Sequence, residues 1–329
     1  MSHLHPSSLT RRERPELDSC GIGFVTDEAG RSSREVVELA LRGLACVRHR
    51  GAVAADGLSG DGAGILFPLP RAFFGRLAAE AGHAVEPERL GVVAAYLDLN
   101  DDGARATARD AVAAACAVEG IELLAWREVP IDEAHLGEAA RDDLPAMLHA
   151  LLARPADVDA DEAERRALRA RRRAEAACRE AGVRHYFASW SFSTVTYKAL
   201  VISDRLEPFY PDLGDPDVVA PFVVFHSRFS TNTAPAWERA QPFRYLCHNG
   251  EINTIQGNEH RMLARGVLGT EAVGLGPEDL FRPVLDHNDS DSGKLDAALE
   301  LLLRGGRDVR HVVSMLVPEA WEGVRDLDP

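Results

Sequence analysis

The stretch "DSCGIGFVTD", residues 18–27, places Cys20 between a polar leader and a short run of small and apolar residues. Such a run is typical of a β-strand, and we predict a strand over residues 20–27. Considered alone, a cysteine in this setting is more typical of a small buried apolar residue than of a nucleophile. The role of Cys20 therefore has to be judged from residues elsewhere in the chain.

The composition of the 329-residue chain argues against several classes of function. With 46% hydrophobic residues the chain can form one large domain or two average ones, and its net charge of −15 disfavours nucleic acid as a partner. No apolar run of about 18 residues is present, so no membrane span is expected. The leader lacks the apolar core of a secretory signal, and five scattered cysteines fit a reducing compartment. We therefore predict a cytoplasmic protein.

Strand-like and helix-like stretches are intermixed along the chain. Apolar residues at helical spacing predict a helix over residues 34–49, and a highly charged stretch predicts another over residues 161–180. The arginines of the second helix are interleaved with acids, so they indicate a solvated helix face rather than a nucleic-acid surface. The strand-like stretches are "AGILFPLP", "LGVVAAYLDL", "ELLAWREVP", "WSFSTVTYKALVIS" (190–203) and "APFVVFHSRFS" (220–230). This mixture predicts a single α+β unit with sheets covered by helices.

Several apparent metal and nucleotide motifs fail on spacing. Asp289, Asp291 and Glu300 are spaced like the ligands of a calcium loop, but Lys294 stands where the sharp turn of that loop needs glycine. The segment "GDGAGIL" lacks the dinucleotide-binding spacing, and the twelve histidines include no H-E-x-x-H. The cysteines are too far apart for a zinc or iron–sulfur cluster. The sequence therefore predicts no metal site and no cofactor site in this chain.

Four polar, glycine-containing stretches remain: "HRGAVAADGLSGDGAGILF" (49–67), "FHSRFSTNT" (225–233), "QPFRYLCHNGEINTIQGN" (241–258) and "HNDSDSGKLD" (287–296). Each has an ordinary structural explanation. Asn249-Gly250 is typical of a hairpin turn, Arg228 of a surface cation at a strand end, and Asp291 of a helix cap. Taken one at a time, these structural explanations are favoured.

Together, the motifs resemble those of the class II glutamine amidotransferases, which are N-terminal-nucleophile hydrolases. The match runs from Cys20 to about Trp321 and rests on "DSCGIGF", "HRGAVAADGLSGDGAG", "HSRFSTNTAPAW", "QPFRYLCHNGEIN" and "SDSGKLD". The "QPFRYL" and "NTAPAW" segments narrow the resemblance to the amidotransferase region of the glutamate synthase large subunit. The resemblance implies a four-layer αββα sandwich over residues 20–329, preceded by a leader at residues 1–19. In the family this domain continues further, so the sandwich is expected to be incomplete at its C-terminal end.

The resemblance also implies a reaction centred on Cys20. In this family the leader is removed, so that Cys20 becomes the first residue and its freed α-amino group acts as the base. The pKa of an α-amine is about 7.7–8.0 and that of a cysteine thiol about 8.5, so this proton transfer is nearly balanced. The Asn249 side-chain amide and the Gly250 backbone N–H are expected to form the oxyanion hole. The expected products are glutamate and ammonia.

Three further residues are expected to serve the binding of the substrate, L-glutamine. Arg228 would hold its α-carboxylate through a bidentate fork that lysine cannot reproduce. Asp291 would hold its α-ammonium, so that the two charges together select the free amino acid. Arg50, in the "HRG" motif, is expected to support the nucleophile end of the site.

The resemblance places every cofactor outside this chain. In glutamate synthase, ammonia passes to 2-oxoglutarate on a downstream domain that carries FMN, and an iron–sulfur cluster and an electron-donating partner supply electrons. The expected partners are therefore L-glutamine, the remainder of the large subunit and that electron donor. Two alternatives stay open: a non-catalytic remnant of an amidotransferase, and an amidotransferase domain that serves a different ammonia acceptor.

Overall fold

The computed structural model describes residues 21–54, 56–229, 235–250, 252–265, 274–276, 285–286 and 289–317. The predicted leader and Cys20 therefore lie outside the described residues. In the described part, the strands are β1 (Ile22–Thr26), β2 (Ser59–Pro68), β3 (Leu90–Leu97), β4 (Glu122–Glu128), β5 (Ala146–Ala153), β6 (His185–Ser191), β7 (Thr194–Val201) and β8 (Phe222–His226). The helices are α1 (Arg34–Cys46), α2 (Arg71–Glu80), α3 (Asp102–Val118), α4 (Glu138–Asp142), α5 (Ala160–Ala181), α6 (Leu206–Phe209), α7 (Ile255–Arg265), α8 (Asp291–Arg304) and α9 (Val309–Leu316).

These strands form two four-stranded sheets in which neighbouring strands are antiparallel. The order is β1-β8-β2-β7 in the first sheet and β4-β5-β3-β6 in the second. Helix α1 packs on β1 and β8 of the first sheet, whereas α3 and α5 pack against the second sheet and each other. Two sheets with helices packed on them form an α+β sandwich, which confirms the predicted fold class.

The second sheet is buried on both faces, as its strand β3 illustrates. Val92, Ala94 and Tyr96 belong to a core cluster that also contains residues of the first sheet and of α1. Their neighbours Val93 and Ala95 pack instead with apolar residues of α3 and α5. Because successive side chains of a strand point to opposite faces, the two clusters lie on opposite sides of this sheet.

Both helices predicted from periodicity and charge are present, and identifiable residues set their ends. Ser33 caps the N-terminus of α1 with its side chain. The helix ends at Cys46 and a short 3₁₀ turn follows at residues 48–50, so the predicted end at residue 49 was slightly late. Asp159 caps α5 in the same way, and Gly182 ends it with a φ of 66°, a left-handed conformation that favours glycine.

Two strands differ from the sequence prediction. The single strand predicted over residues 190–203 is wrong as one unit, because the chain turns at Phe192 and Ser193 and passes from the second sheet to the first. Strand β5 was not among the predicted strands, and its alanine, leucine and methionine residues favour helices. It is a strand because β3 and β4 pair with it on both sides, so tertiary context outweighs propensity.

The charged helix α5 is also less solvated than predicted. Arg171 is only 4% exposed and pairs with Glu175 on the same helix and with Glu300 of α8. Arg169 pairs with the buried carboxylate of Glu119 at 2.6 Å. Part of the charge run is therefore an internal ion-pair network that fastens α5 to its neighbours.

The C-terminal helices α7, α8 and α9 share a smaller apolar cluster of their own, built around Met262, Leu295, Leu302 and Leu316. Helix α8 connects this cluster to α5 through the ion pair between Arg171 and Glu300. Among the described residues, no helix combines the length and the apolar character needed to cross a membrane.

Candidate active site

Pairing between β1 and β8 brings the N-terminal motif to the "HSR" motif. Ile22 lies opposite His226 in the antiparallel ladder, and beyond it the backbone N–H of Ser227 donates to the carbonyl of Gly21 at 2.7 Å. A Cβ at Gly21 would lie 2.6 Å from the Ser227 Cβ, so this approach requires glycine. Cys20 itself lies outside the described residues, but the residue that follows it is bonded to the end of β8.

The "HRG" and "SGDG" stretches reach the same place. Gly51 lies beside Ser227, where an added Cβ would be 3.4 Å from the serine Oγ. The Asp61 carboxylate lies 3.4 Å from Nε of Arg228 and also accepts the backbone N–H of Ala52 at 2.9 Å. Because Asp61 engages Nε, it orients the guanidinium while the terminal Nη atoms have no partner among the described residues. Arg228, with 39% of its side chain exposed, is therefore presented for a carboxylate ligand.

Arg50 is the predicted site residue that the structure connects least directly. It ends the 3₁₀ turn at residues 48–50, is half-buried, and precedes Gly51, which lies against Ser227. Its side chain has no partner among the described residues. The role in supporting the nucleophile end of the site stays a prediction.

The Asn249-Gly250 turn is exposed. It ends a stretch without strands, residues 241–250, which is called the site segment below. The hairpin explanation of this dipeptide is therefore wrong. Gly250 has a φ of +91°, which glycine adopts at little cost, and apart from its chain neighbours no described residue has an atom within 4 Å of the position of an added Cβ. An exposed turn with an unshielded N–H beside an amide side chain is suited to donate hydrogen bonds to a developing oxyanion.

The residue before this turn, His248, is fixed by two other motifs. Its backbone N–H donates to the side chain of Gln241 at 3.1 Å, and its carbonyl lies 3.1 Å from Nε2 of His226 at the end of β8. Its own Nε2 lies 2.6 Å from Oγ of Ser292, in the first turn of α8. The "HSR", "HNG" and "SDS" motifs are therefore in direct contact.

Asp291 is the first residue of α8 and is exposed. Ser290 caps the helix, its Oγ accepting the N–H of Gly293 at 3.1 Å, so the cap explanation offered for Asp291 belongs to its neighbour. A carboxylate in the first turn is also stabilised by the helix dipole. Asp291 is thus an exposed acid one residue from the serine that contacts His248.

A small cavity of about 10 Å³ marks the junction. Its lining consists of the following residues: His226, Arg228, Phe229, Gln241, His248, Asn249 and Gly250. That volume is close to the space for one water molecule. The cavity is too small for a larger ligand, and Asn249 and Gly250 are exposed on the outer side of the turn.

Burial sets the protonation of the groups behind the turn. It lowers the pKa of His226 to about 4, against the opposing effect of the two carbonyls at its ring, and it lowers the pKa of His248. Both rings are consequently neutral near pH 7. Burial raises the pKa of the Cys247 thiol, which contacts the carbonyl of Phe225 at 3.6 Å. Cys247 is therefore an inert thiol, although it lies only two residues from Asn249.

The acidic pattern near α8 has a different use from a calcium loop. Glu300 is buried and pairs with Arg171 and Arg244. In the part of the chain that the structure describes, no group of three or more His, Cys, Asp or Glu side chains could hold a metal ion.

Sequence analysis did not identify Asp61, His226, Gln241, His248 or Ser292 as site residues. All five lie inside the motif stretches quoted above, and their position in those stretches is the signal that could have identified them. A motif does not reveal which of its polar residues contacts substrate and which holds another residue in place. That distinction needs the hydrogen bonds.

Comparison with known proteins gives a consistent result. Residues 20–329 match the sequence profile of the family described as "Glutamine amidotransferases class-II". Ferredoxin-dependent glutamate synthase 2 of Arabidopsis thaliana is 37% identical over 310 residues, which are 93% of this chain and 19% of that protein. The glutamate synthase [NADPH] large chain of Bacillus subtilis is 38% identical over 314 residues, or 94% and 20%. The corresponding chain of Azospirillum brasilense is 38% identical over 307 residues, or 93% and 20%. The chain thus spans about a fifth of the length of the curated relatives it matches.

Proposed function

Because the chain belongs to the class-II glutamine amidotransferases, we propose that it hydrolyses the side-chain amide of L-glutamine to glutamate and ammonia. The observation that carries this proposal is the meeting of the "HSR" motif at the end of β8 with four other motifs. There Arg228 presents a guanidinium next to the exposed Asn249-Gly250 turn. Hydrolysis of the side-chain amide of a free amino acid requires a cation that binds the carboxylate and, close to it, hydrogen-bond donors that stabilise the oxyanion.

In the proposed reaction, the Cys20 thiol attacks the carbon of the side-chain amide and passes its proton to the α-amine of the same residue. The carbonyl oxygen becomes an oxyanion that accepts hydrogen bonds from the Asn249 amide and the Gly250 N–H. Collapse of this intermediate expels ammonia, which carries away the proton, and leaves a thioester on Cys20. Water then hydrolyses the thioester, releasing glutamate and restoring the thiol.

Recognition of free glutamine is assigned to two opposite charges. Arg228 binds the α-carboxylate with its terminal Nη atoms, and Asp291 binds the α-ammonium. A glutamine within a peptide lacks both charges, so this pair favours the free amino acid. Arg50 supports the nucleophile end, next to Gly51 and Ser227.

The same proposal includes removal of the leader. A peptide-bonded nitrogen cannot accept the thiol proton, so the base exists only when Cys20 is the first residue. We therefore propose residues 1–19 as a propeptide and residues 20–329 as the amidotransferase domain. Cleavage would be seen by intact-mass measurement as an active chain that begins at Cys20, and activity in a chain that retains its leader would contradict it.

The wider role follows from the relatives named above. We propose that the ammonia is delivered to 2-oxoglutarate by the remainder of a glutamate synthase large subunit, in the cytoplasm. FMN, the iron–sulfur cluster and the electron-donating partner would belong to that remainder and not to this chain. Nucleic acid and membrane have no part in this scheme.

The test of the proposed function is modification of Cys20. The full chain should release glutamate from glutamine, and a glutamine-like diazo ketone should add one label at Cys20, located by mass spectrometry. Cys20→Ala should lower the rate by at least about 1,000-fold. Cys46→Ala is the matched control, since Cys46 is a free, exposed thiol at the end of α1.

The outcomes also separate the alternatives. An unlabelled Cys20 together with an unchanged rate in Cys20→Ala contradicts the proposal, whereas a folded but inactive wild type favours the non-catalytic remnant. Glutaminase activity that responds to an acceptor other than 2-oxoglutarate favours the other amidotransferase class.

A further inference from the structure

His248 is held at its backbone N–H, its backbone carbonyl and its ring Nε2 by side chains from different parts of the chain. Gln241 takes its N–H, the ring of His226 contacts its carbonyl, and Ser292 contacts its ring. Asn249, the next residue, is exposed, and its side chain makes no hydrogen bond to another described residue. The placement of the Asn249-Gly250 turn therefore depends on how firmly His248 is held.

Helix α8 supplies one of these contacts as part of a polar stripe. Ser292, Asp296 and Glu300 are four residues apart, so they lie on one face of the helix. The Asp296 carboxylate accepts the backbone N–H groups of Tyr245 and Leu246 at 2.8 and 3.1 Å. One face of α8 thus binds the site segment at successive points along its length.

Asp296 and Glu300 also compensate a buried cation of the site segment. Arg244 lies 3.1 Å from Asp296 and 3.4 Å from Glu300, and both carboxylates are almost fully buried. Breaking a buried, compensated ion pair is costly, so these two anchors fix the helix against the segment. Ser292, by contrast, is neutral, and in the described part of the chain its hydroxyl has one hydrogen-bond partner, the ring of His248. Its removal therefore tests positioning without leaving an unpaired charge.

We propose that the contact between Ser292 and His248 is a positioning pair that couples α8, which presents Asp291 to the substrate, to the Asn249-Gly250 turn. The pair acts through His248 and does not touch the reacting atoms. It rests on the proposed function, because it concerns the alignment of that oxyanion hole. Ser292 is 2% exposed, and the ring of His248 loses this partner when the hydroxyl is removed.

The expected signature is a loss in kcat without a loss in substrate binding. Ser292→Ala leaves Arg228 and Asp291 in place, so the KM for glutamine should stay within about twofold. The oxyanion donors become misaligned, and a displacement of this kind should lower kcat by about 10- to 100-fold. Ser314→Ala is the matched control, because it removes a helical serine hydroxyl that bonds only a carbonyl of α9. Its kcat and KM should equal those of the wild type.

A double-mutant cycle on the full chain distinguishes positioning from simple destabilisation. His248→Ala should lose kcat as Ser292→Ala does, and the double variant should be no worse than either single variant, because both remove one contact. His248→Gln retains an N–H that can reach the serine and should recover most of kcat. Thermal unfolding of each variant reports the folded fraction.

Several results would overturn the inference while the proposed function stands. These are an unchanged kcat in Ser292→Ala, additive effects in the double variant, a rise in KM in place of the fall in kcat, and losses that merely follow the folded fraction. If the wild-type chain neither hydrolyses glutamine nor reacts at Cys20, the proposed function fails, and the inference fails with it.

Discussion

The two sheets and the site segment are stabilised in different ways. Strand Phe222–His226 is bonded to strands on both sides, and its Val223 and Phe225 side chains are buried in the main core cluster. The site segment contains no strand, and its backbone groups at Tyr245, Leu246 and His248 bond to side chains. The sheets are therefore held by repeated backbone pairing and burial, whereas the Asn249-Gly250 turn is held by a few directional contacts. Substitutions in the sheets should change stability, and those at the Asn249-Gly250 turn should change catalysis.

The largest effect is expected in the sheet region. The Phe225 ring lies between β1 and α1, so close that a Cβ at Gly23 or Gly43 would come within 2.3 or 3.0 Å of it. Neither glycine can fill the space left by Phe225→Ala, so the free energy of unfolding should fall by about 3–5 kcal/mol in urea titration. Phe24→Ala, at a side chain that is 72% exposed on the adjacent strand, is the control and should cost less than about 0.5 kcal/mol. Equal effects at both positions would remove the basis of the comparison.

The next largest effect is expected at the turn itself. Asn249→Ala removes one oxyanion donor, so kcat should fall by about 100- to 1,000-fold. Because Asn249 is exposed, the free energy of unfolding should change by less than about 0.5 kcal/mol. Asn100→Ala, at an exposed asparagine after β3, should change neither quantity. A variant that loses stability together with activity would show that the turn is part of the core after all.

Sequence reasoning recovered the strands and helices that carry a clear pattern. Residues 20–27 and 220–230 were predicted as strands and contain β1 and β8, because β-branched and aromatic residues mark them. Strand β5 could not be predicted in the same way, since a run of alanine and leucine is helical by propensity and becomes a strand only through its neighbours.

The contacts between the predicted site motifs could not be derived from the sequence. Matching motifs indicated Arg228, Asn249, Gly250 and Asp291, and the structure brings their motifs together through Ser227, His248 and Ser292. No periodic pattern marks the side chains that hold the turn, because their partners are distant in sequence: Ser292 is 44 residues from His248. Such contacts depend on the folded arrangement of whole elements.

A smaller effect, on substrate affinity, is expected from Arg228→Lys. A bidentate carboxylate contact becomes a single one, and the loss of a charged hydrogen bond, about 1.5–3 kcal/mol, corresponds to about a 10- to 100-fold rise in KM for glutamine. Steady-state kinetics measure this, with Arg310→Lys at a 90% exposed side chain as the control. If kcat fell while KM stayed constant, Arg228 would not bind the carboxylate as described.

The smallest effect is expected from a change in pH. It concerns the free energy of unfolding and arises from a histidine of the sheet region. Burial lowers the pKa of His149 to about 3, and the neighbouring Arg127 acts in the same direction. The unfolded chain has a histidine pKa of about 6.5, so it binds more protons than the folded chain between these values. The stabilisation is complete above pH 6.5 and falls on acidification, by about 1 kcal/mol per pH unit. His149→Leu should flatten the dependence of unfolding free energy on pH between 6.5 and 5.5, and parallel curves for the two proteins would contradict this.

The stripe of Ser292, Asp296 and Glu300 limits the insertions that α8 can tolerate. Three anchors at intervals of four residues fix the rotation of α8 about its own axis, as well as its distance from the site segment. Inserting one residue after Ser292 would turn everything beyond it by about 100°, so Asp296 and Glu300 could no longer reach Arg244 while Ser292 stayed on His248. Leu295 and Leu302, on another face of α8, pack in the apolar cluster shared with α7 and α9, so the same insertion would displace them as well. The spacing of these three anchors therefore sets the register in which α8 holds Asp291 beside the site segment.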